Sequence, residues 1–99
     1  MGIQIAEMST SRIPPASDGE KDLRFLAEIV AILATERQSK GITFRELGAE
    51  TGYNYGYYSR AERGLTEPGI ISLCRWCRAL GLDFVDVAQR ARGDRRLDP

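Results

Sequence analysis

Thr43-Phe44-Arg45-Glu46-Leu47-Gly48-Ala49-Glu50-Thr51-Gly52-Tyr53-Asn54-Tyr55-Gly56-Tyr57-Tyr58-Ser59-Arg60-Ala61-Glu62-Arg63-Gly64 is the stretch whose reading decides the fold. Thr43 and Glu46 spell a capping box: the Thr hydroxyl accepts from the backbone N–H three residues on, and the Glu carboxylate reaches back to the Thr N–H. A short helix, Phe44 to Glu50, therefore starts here and is stopped by Gly52. Asn54 is placed to cap another helix, Tyr55 to Arg63, and Gly64 stands where a left-handed C-terminal residue is wanted. Two short helices joined by a tight glycine-containing turn make a helix-turn-helix pattern.

On the N-terminal side, Leu23, Leu26, Ile29, Val30 and Leu33 recur at three and four, while Arg24, Glu28, Glu36 and Arg37 take the other face. That period predicts an amphipathic helix from Lys21 to about Gln38, ended near Gly41. On the C-terminal side, the turn Leu65 to Gly69 leads into a helix from about Ile70 to Leu80 that buries Leu73, Trp76, Cys77 and Leu80. Gly81 closes it, and Asp83 with Asp86 opens a last helix that turns Phe84, Val87 and Ala91 inward. The reading is all-α, a compact five-helix domain over residues 20–92.

The ends differ in character. Residues 1–19 mix Ser, Thr, Pro and Gly with scattered Ile and Met, which offers little periodic apolar surface to offset the cost of ordering, so a flexible arm is expected. Residues 93–99 are charged and read as a disordered tail, and Arg90, Arg92, Arg95 and Arg96 alternate with Asp94 and Asp98 as in a solvated segment.

With 99 residues, 42 % of them hydrophobic, the chain buries one modest core. No run of about eighteen apolar residues is present and Met1 to Ala16 lacks the pattern of a secretory signal, which makes a cytoplasmic location, off the membrane, the expectation. Fourteen Lys and Arg balance fourteen Asp and Glu. The global positive charge of many nucleic-acid binders is missing, but phosphate contacts are made by a few residues on one face, so local charge matters more than the total. Cys74 and Cys77 form a CxxC on a helical run; zinc needs further ligands, and the chain has no His and no other Cys, so buried thiols and no metal are expected. No phosphate loop and no nucleophile–base pair is present, so an enzyme and a cofactor are not expected.

Gly41 to Gly48, Thr51 to Gly64 with its Ser-Arg-Ala-Glu-Arg-Gly segment, then Pro68 and Ala79-Leu80-Gly81-Leu82 together resemble the lambda-repressor-like (Cro/C1, XRE) helix-turn-helix family. The resemblance spans somewhat more than half the chain. It implies that the helix at about 55–63 lies in the major groove, and that dimers read two half-sites about one helical turn apart. By position it makes Tyr55, Gly56 and Arg60 the base-reading candidates. Arg60 has the fork to take guanine O6 and N7 together, Tyr57, Arg63 and Arg45 are placed to hold phosphates, and Phe44 stands where the family has a phosphate-binding Gln.

The resemblance also assigns structural roles. Tyr53 and Tyr58 fall at core positions, Glu62 pairs with Arg37 on the first helix, and Cys77 takes the place of a packed Ala. The expected function is a sequence-specific double-stranded DNA-binding transcriptional regulator acting as a homodimer, with Phe84 and Val85 as candidate dimer contacts. The alternative is a protein-interaction module (anti-activator, antitoxin-like or coactivator) on the same fold, favoured by zero net charge and by four tyrosines in six residues.

Overall fold

A computed structural model describes residues 16–93, with side chains from Gly19 onward. The described residues form α1 (Ala16–Ser39), α2 (Phe44–Thr51), α3 (Tyr55–Glu62), α4 (Ile70–Ala79) and α5 (Phe84–Ala91), without a strand among them. α1 begins five residues before the Lys21 start expected from periodicity, so Ala16 to Gly19 are helical and not part of an arm. Apolar spacing is blind to this end because residues 20–24 are all exposed and leave no burial signal. The remainder of the expected arm, residues 1–15, and residues 94–99 of the tail lie outside the described residues. Gly93, assigned to the tail, is buried and donates its N–H to the Arg90 carbonyl as α5 closes.

The local signals act as chemistry dictates. Thr43 N donates to the Glu46 carboxylate at 2.8 Å, and Glu46 N donates to Thr43 Oγ1 at 3.1 Å. Asn54 Oδ1 accepts from Gly56 N at 2.7 Å, and Asp83 Oδ1 accepts from Val85 N and Asp86 N at 2.8 and 3.2 Å. Each bond satisfies an N–H that a helix start leaves without an intrahelical partner. Gly52 ends α2 at φ 84°, a left-handed turn that returns its N–H to the Gly48 carbonyl and that an L side chain resists.

The core is one cluster: Ile29, Val30 and Leu33 of α1, Leu47 of α2, Tyr58 and Ala61 of α3, Leu73, Trp76 and Cys77 of α4 with Leu80 just after it, and Val87 of α5. Trp76 and Tyr58 are fully buried and meet edge to face at 4.8 Å between centroids, a favoured aromatic geometry. Leu23 departs from the expected buried stripe, with 54 % exposure. It lines an open groove of about 390 Å³ between α1 and the turn that holds Gly64, Thr66, Glu67 and Pro68.

α2 and α3 meet at closest approach through Gly48, where a Cβ would stand 2.7 Å from the Tyr53 carbonyl oxygen and 3.2 Å from Tyr55 N. Only a residue without a side chain lets the start of α3 cross α2 this tightly.

Candidate nucleic-acid interface

α3 is held rigidly from behind. Arg37 on α1 donates through Nε to Glu62 Oε2 at 2.7 Å and through Nη2 to Oε1 at 3.0 Å, while Nη1 donates to the Ile42 carbonyl at 2.9 Å. The pair expected from the resemblance is therefore present as a two-pronged bridge, with side chains only 12 % and 10 % exposed. A planar guanidinium suits this two-point geometry and fixes the C-terminal end of α3 against α1.

Phe44 takes part in the same support. Its ring lies 4.0 Å below the Arg37 guanidinium carbon and packs against the core, so where a phosphate-binding Gln was expected the chain has a platform for the buried cation.

The N-terminal end of α3 is held by aromatics. Tyr53 and Tyr57 stack at 5.0 Å with an interplanar angle of 18°, both packed against the core cluster. Arg75 caps the stack, 5.5 Å from the Tyr53 centroid, and donates to the Thr51 carbonyl. The Tyr57 hydroxyl lies 2.6 Å from Ser72 Oγ. Ser72 gives its own proton to the Gly69 carbonyl, so the tyrosine is the donor. Tyr57 thus bonds inward, to α4, and is not aimed at a partner. Tyr58 is buried as expected, which pushes its hydroxyl above the ordinary tyrosine range.

The outward side carries the remaining candidates. Arg60, Arg63 and Gly56 follow the three- and four-residue spacing of one helical face, and both arginines are exposed. Tyr55 is half exposed, and the Arg45 guanidinium of α2 sits 5.1 Å from its ring centroid. Arg63 is the C-terminal cap of α3, one residue beyond the helix, and donates back to the Ser59 carbonyl. The Arg60 side chain makes no hydrogen bond and no ion pair among the described residues. Of the seven candidates, the structure brings Arg45, Tyr55, Gly56, Arg60 and Arg63 to one surface and turns Phe44 and Tyr57 into the scaffold.

Asn54 joins that surface although its sequence signal pointed only to capping. The point where a Gly56 Cβ would stand is 3.1 Å from Asn54 Oδ1 and 3.1 Å from Arg60 Nη1. A capping side chain at the start of an outward-facing helix sits where a ligand approaches the free N–H groups, and that was the signal available.

Cys77 lies in the core and Cys74 is half buried. Burial, with Cys74 close by, pushes the Cys77 thiol up to about 11, which keeps it protonated and unreactive near neutral pH. Among the described residues no group of three or more His, Cys, Asp or Glu is arranged to hold a metal, and no helix is long and apolar enough to cross a membrane.

Comparison with known proteins gives three kinds of match. The profile of a helix-turn-helix family covers residues 33–87. The chain is 37 % identical over 51 residues to the HTH-type transcriptional regulator y4dJ of Sinorhizobium fredii, a match over 52 % of this chain and 66 % of that protein. It is 40 % identical over 53 residues to the regulator y4dL of the same organism, over 54 % of this chain and 27 % of that protein. The aligned stretch is thus less than two thirds of either regulator. Among solved structures, the clp gene regulator ClgR of Corynebacterium glutamicum superposes with a TM-score of 0.62 at 38 % identity, over 73 % of this chain and 78 % of that one.

Proposed function

We propose that this chain, which belongs to the lambda-repressor-like (Cro/C1, XRE) helix-turn-helix family, is a cytoplasmic transcriptional regulator that binds double-stranded DNA with α3 in the major groove. The observation that carries the reading is the two-sidedness of α3. Its inner face is locked by the Arg37–Glu62 bridge and the tyrosine stack, while its outer face carries an unpaired guanidinium at Arg60 flanked by Arg63, Arg45 and Tyr55. A helix held that firmly delivers side chains to base edges with little ordering cost on binding.

Arg60 is the main base reader, taking guanine O6 and N7 in the major groove. Arg45, Arg63 and Tyr55 hold phosphates and set the register. One eight-residue helix buries little surface, so a homodimer reading two half-sites is part of the proposal. Of the two dimer contacts considered, Phe84 packs against the core and Val85, 60 % exposed, is the available one.

The protein-interaction alternative drew on the four clustered tyrosines, and three of them pack inward. That leaves Tyr55 as the one half-exposed ring of the group.

Fluorescence anisotropy with random-sequence duplex across a salt series tests the reading. Counterion release gives a logarithmic slope of about −0.9 per phosphate engaged. A negative slope of several units is expected; no binding at low salt would refute DNA binding and point to a protein partner.

A further inference from the structure

Gly56 is the second residue of α3, and its backbone does not require glycine, since it is not among the residues with positive φ. In a helix interior glycine is less favourable than alanine, so the residue weakens the helix that the proposed function depends on. What its missing side chain leaves is a space occupied from two sides. A Cβ there would stand 3.1 Å from Arg60 Nη1 and 3.1 Å from Asn54 Oδ1, with no other atom closer. The guanidinium of Arg60 therefore lies back along the helix, over its first turn, in the notch that Gly56 opens.

We infer that Gly56 is a specificity-determining position that acts without a side chain, by seating the Arg60 guanidinium over the first turn of α3 beside Asn54, where it reads a guanine edge. The inference rests on the DNA-binding reading given above. A cation over a helix N-terminus faces the positive end of the macrodipole, and α3 has no acidic residue in its first turn to offset it. An acceptor pair such as guanine O6 and N7 satisfies the fork and is itself favoured by the dipole, so this seat selects for an acceptor-rich base edge. With a methyl group at position 56 the Arg60 guanidinium and the Asn54 side chain each have to give by a few tenths of an ångström, which moves the fork from its seat.

The test compares wild type, Gly56→Ala, Arg60→Ala and the double variant on full-length protein. Sites are selected from random duplexes and affinities are measured for selected and random DNA. Gly56→Ala is expected to fold with an unchanged or raised melting temperature. Its preference at the guanine position should fall about ten- to a hundred-fold, matching Arg60→Ala, and the double variant should lose no more than either alone. A folded Gly56→Ala that keeps the wild-type preference overturns this inference while leaving DNA binding intact. Wild type that binds no duplex at all overturns both. In the free protein, a nuclear Overhauser contact between the Arg60 side chain and the Gly56 α-protons supports the seat independently of DNA, and its absence refutes it.

Discussion

Removing Glu62 tests whether the position of α3 depends on its bridge to α1. Glu62→Ala deletes both charge-assisted bonds from Arg37, at 2.7 and 3.0 Å, and leaves that side chain, 12 % exposed in the intact pair, with the Ile42 carbonyl and the Phe44 ring as its remaining partners. Breaking a fully buried pair costs about 3 to 5 kcal/mol, because the survivor is an uncompensated charge. Here the survivor keeps a carbonyl acceptor and a ring, and some solvent reaches it. We therefore expect about 2 to 3 kcal/mol from Glu62→Ala. Arg37→Ala should cost as much or more, since it strips Glu62 of both partners and Phe44 of its neighbour. In a chain of this length about 2 kcal/mol lowers the melting temperature by roughly 8 to 16 °C. Urea unfolding followed by circular dichroism reads it, with an unchanged m-value showing that the unfolding transition is the same. The double variant should lose clearly less than the sum of the singles. A loss below about 0.5 kcal/mol for Glu62→Ala, the range of a surface ion pair, would refute the claim that this bridge anchors α3.

Gly48→Ala places a Cβ 2.7 Å from the Tyr53 carbonyl oxygen. Despite the gain in helix propensity it should destabilise by about 1 to 3 kcal/mol, and a neutral or raised melting temperature would show that the turn tolerates a methyl group. Tyr57→Phe removes the proton donated to Ser72 Oγ and should cost about 1 kcal/mol of stability with unchanged affinity for random duplex; an affinity loss of similar size at every salt concentration would instead place the Tyr57 hydroxyl on a phosphate. Cys77 has its thiol raised from 9.0 to about 11 in the fold. The folded state holds that proton more tightly than the unfolded chain, so the contribution is whole below pH 9 and is lost as pH rises towards about 11. Cys77→Ala should therefore flatten the alkaline arm of the stability profile. At pH 8 a thiol reagent should modify the half-buried Cys74 well before Cys77, and equal rates would contradict the burial of Cys77.

Much of this domain is legible along the chain because the signals are local. The Thr43/Glu46 box, the Asn54 and Asp83 caps, Gly52 and the three- and four-residue apolar spacing each act within about one helical turn, and among the described residues they place every helix closely except for the first turn of α1. Periodicity fails where it has nothing to register, at the exposed first turns of α1 and at Leu23. Family resemblance supplied the Arg37–Glu62 partnership, which no local rule yields for residues twenty-five apart.

The functional surface was less legible, because facing is settled by what packs behind a helix. Four tyrosines in six residues look alike as sequence, yet Tyr58 faces Trp76, Tyr53 and Tyr57 stack under Arg75, and only Tyr55 is left half exposed. Phe44 became a platform for Arg37 only once α1 and α2 were brought together. Glycine at position 56, a missing contact when read alone, is a seat for Arg60 once the helix turns its fourth neighbour back over it. Sequence by itself determined the elements, since capping and helical period are short-range; tertiary structure alone decided which side chains remain exposed on the outer face of α3, since that depends on partners supplied by distant helices.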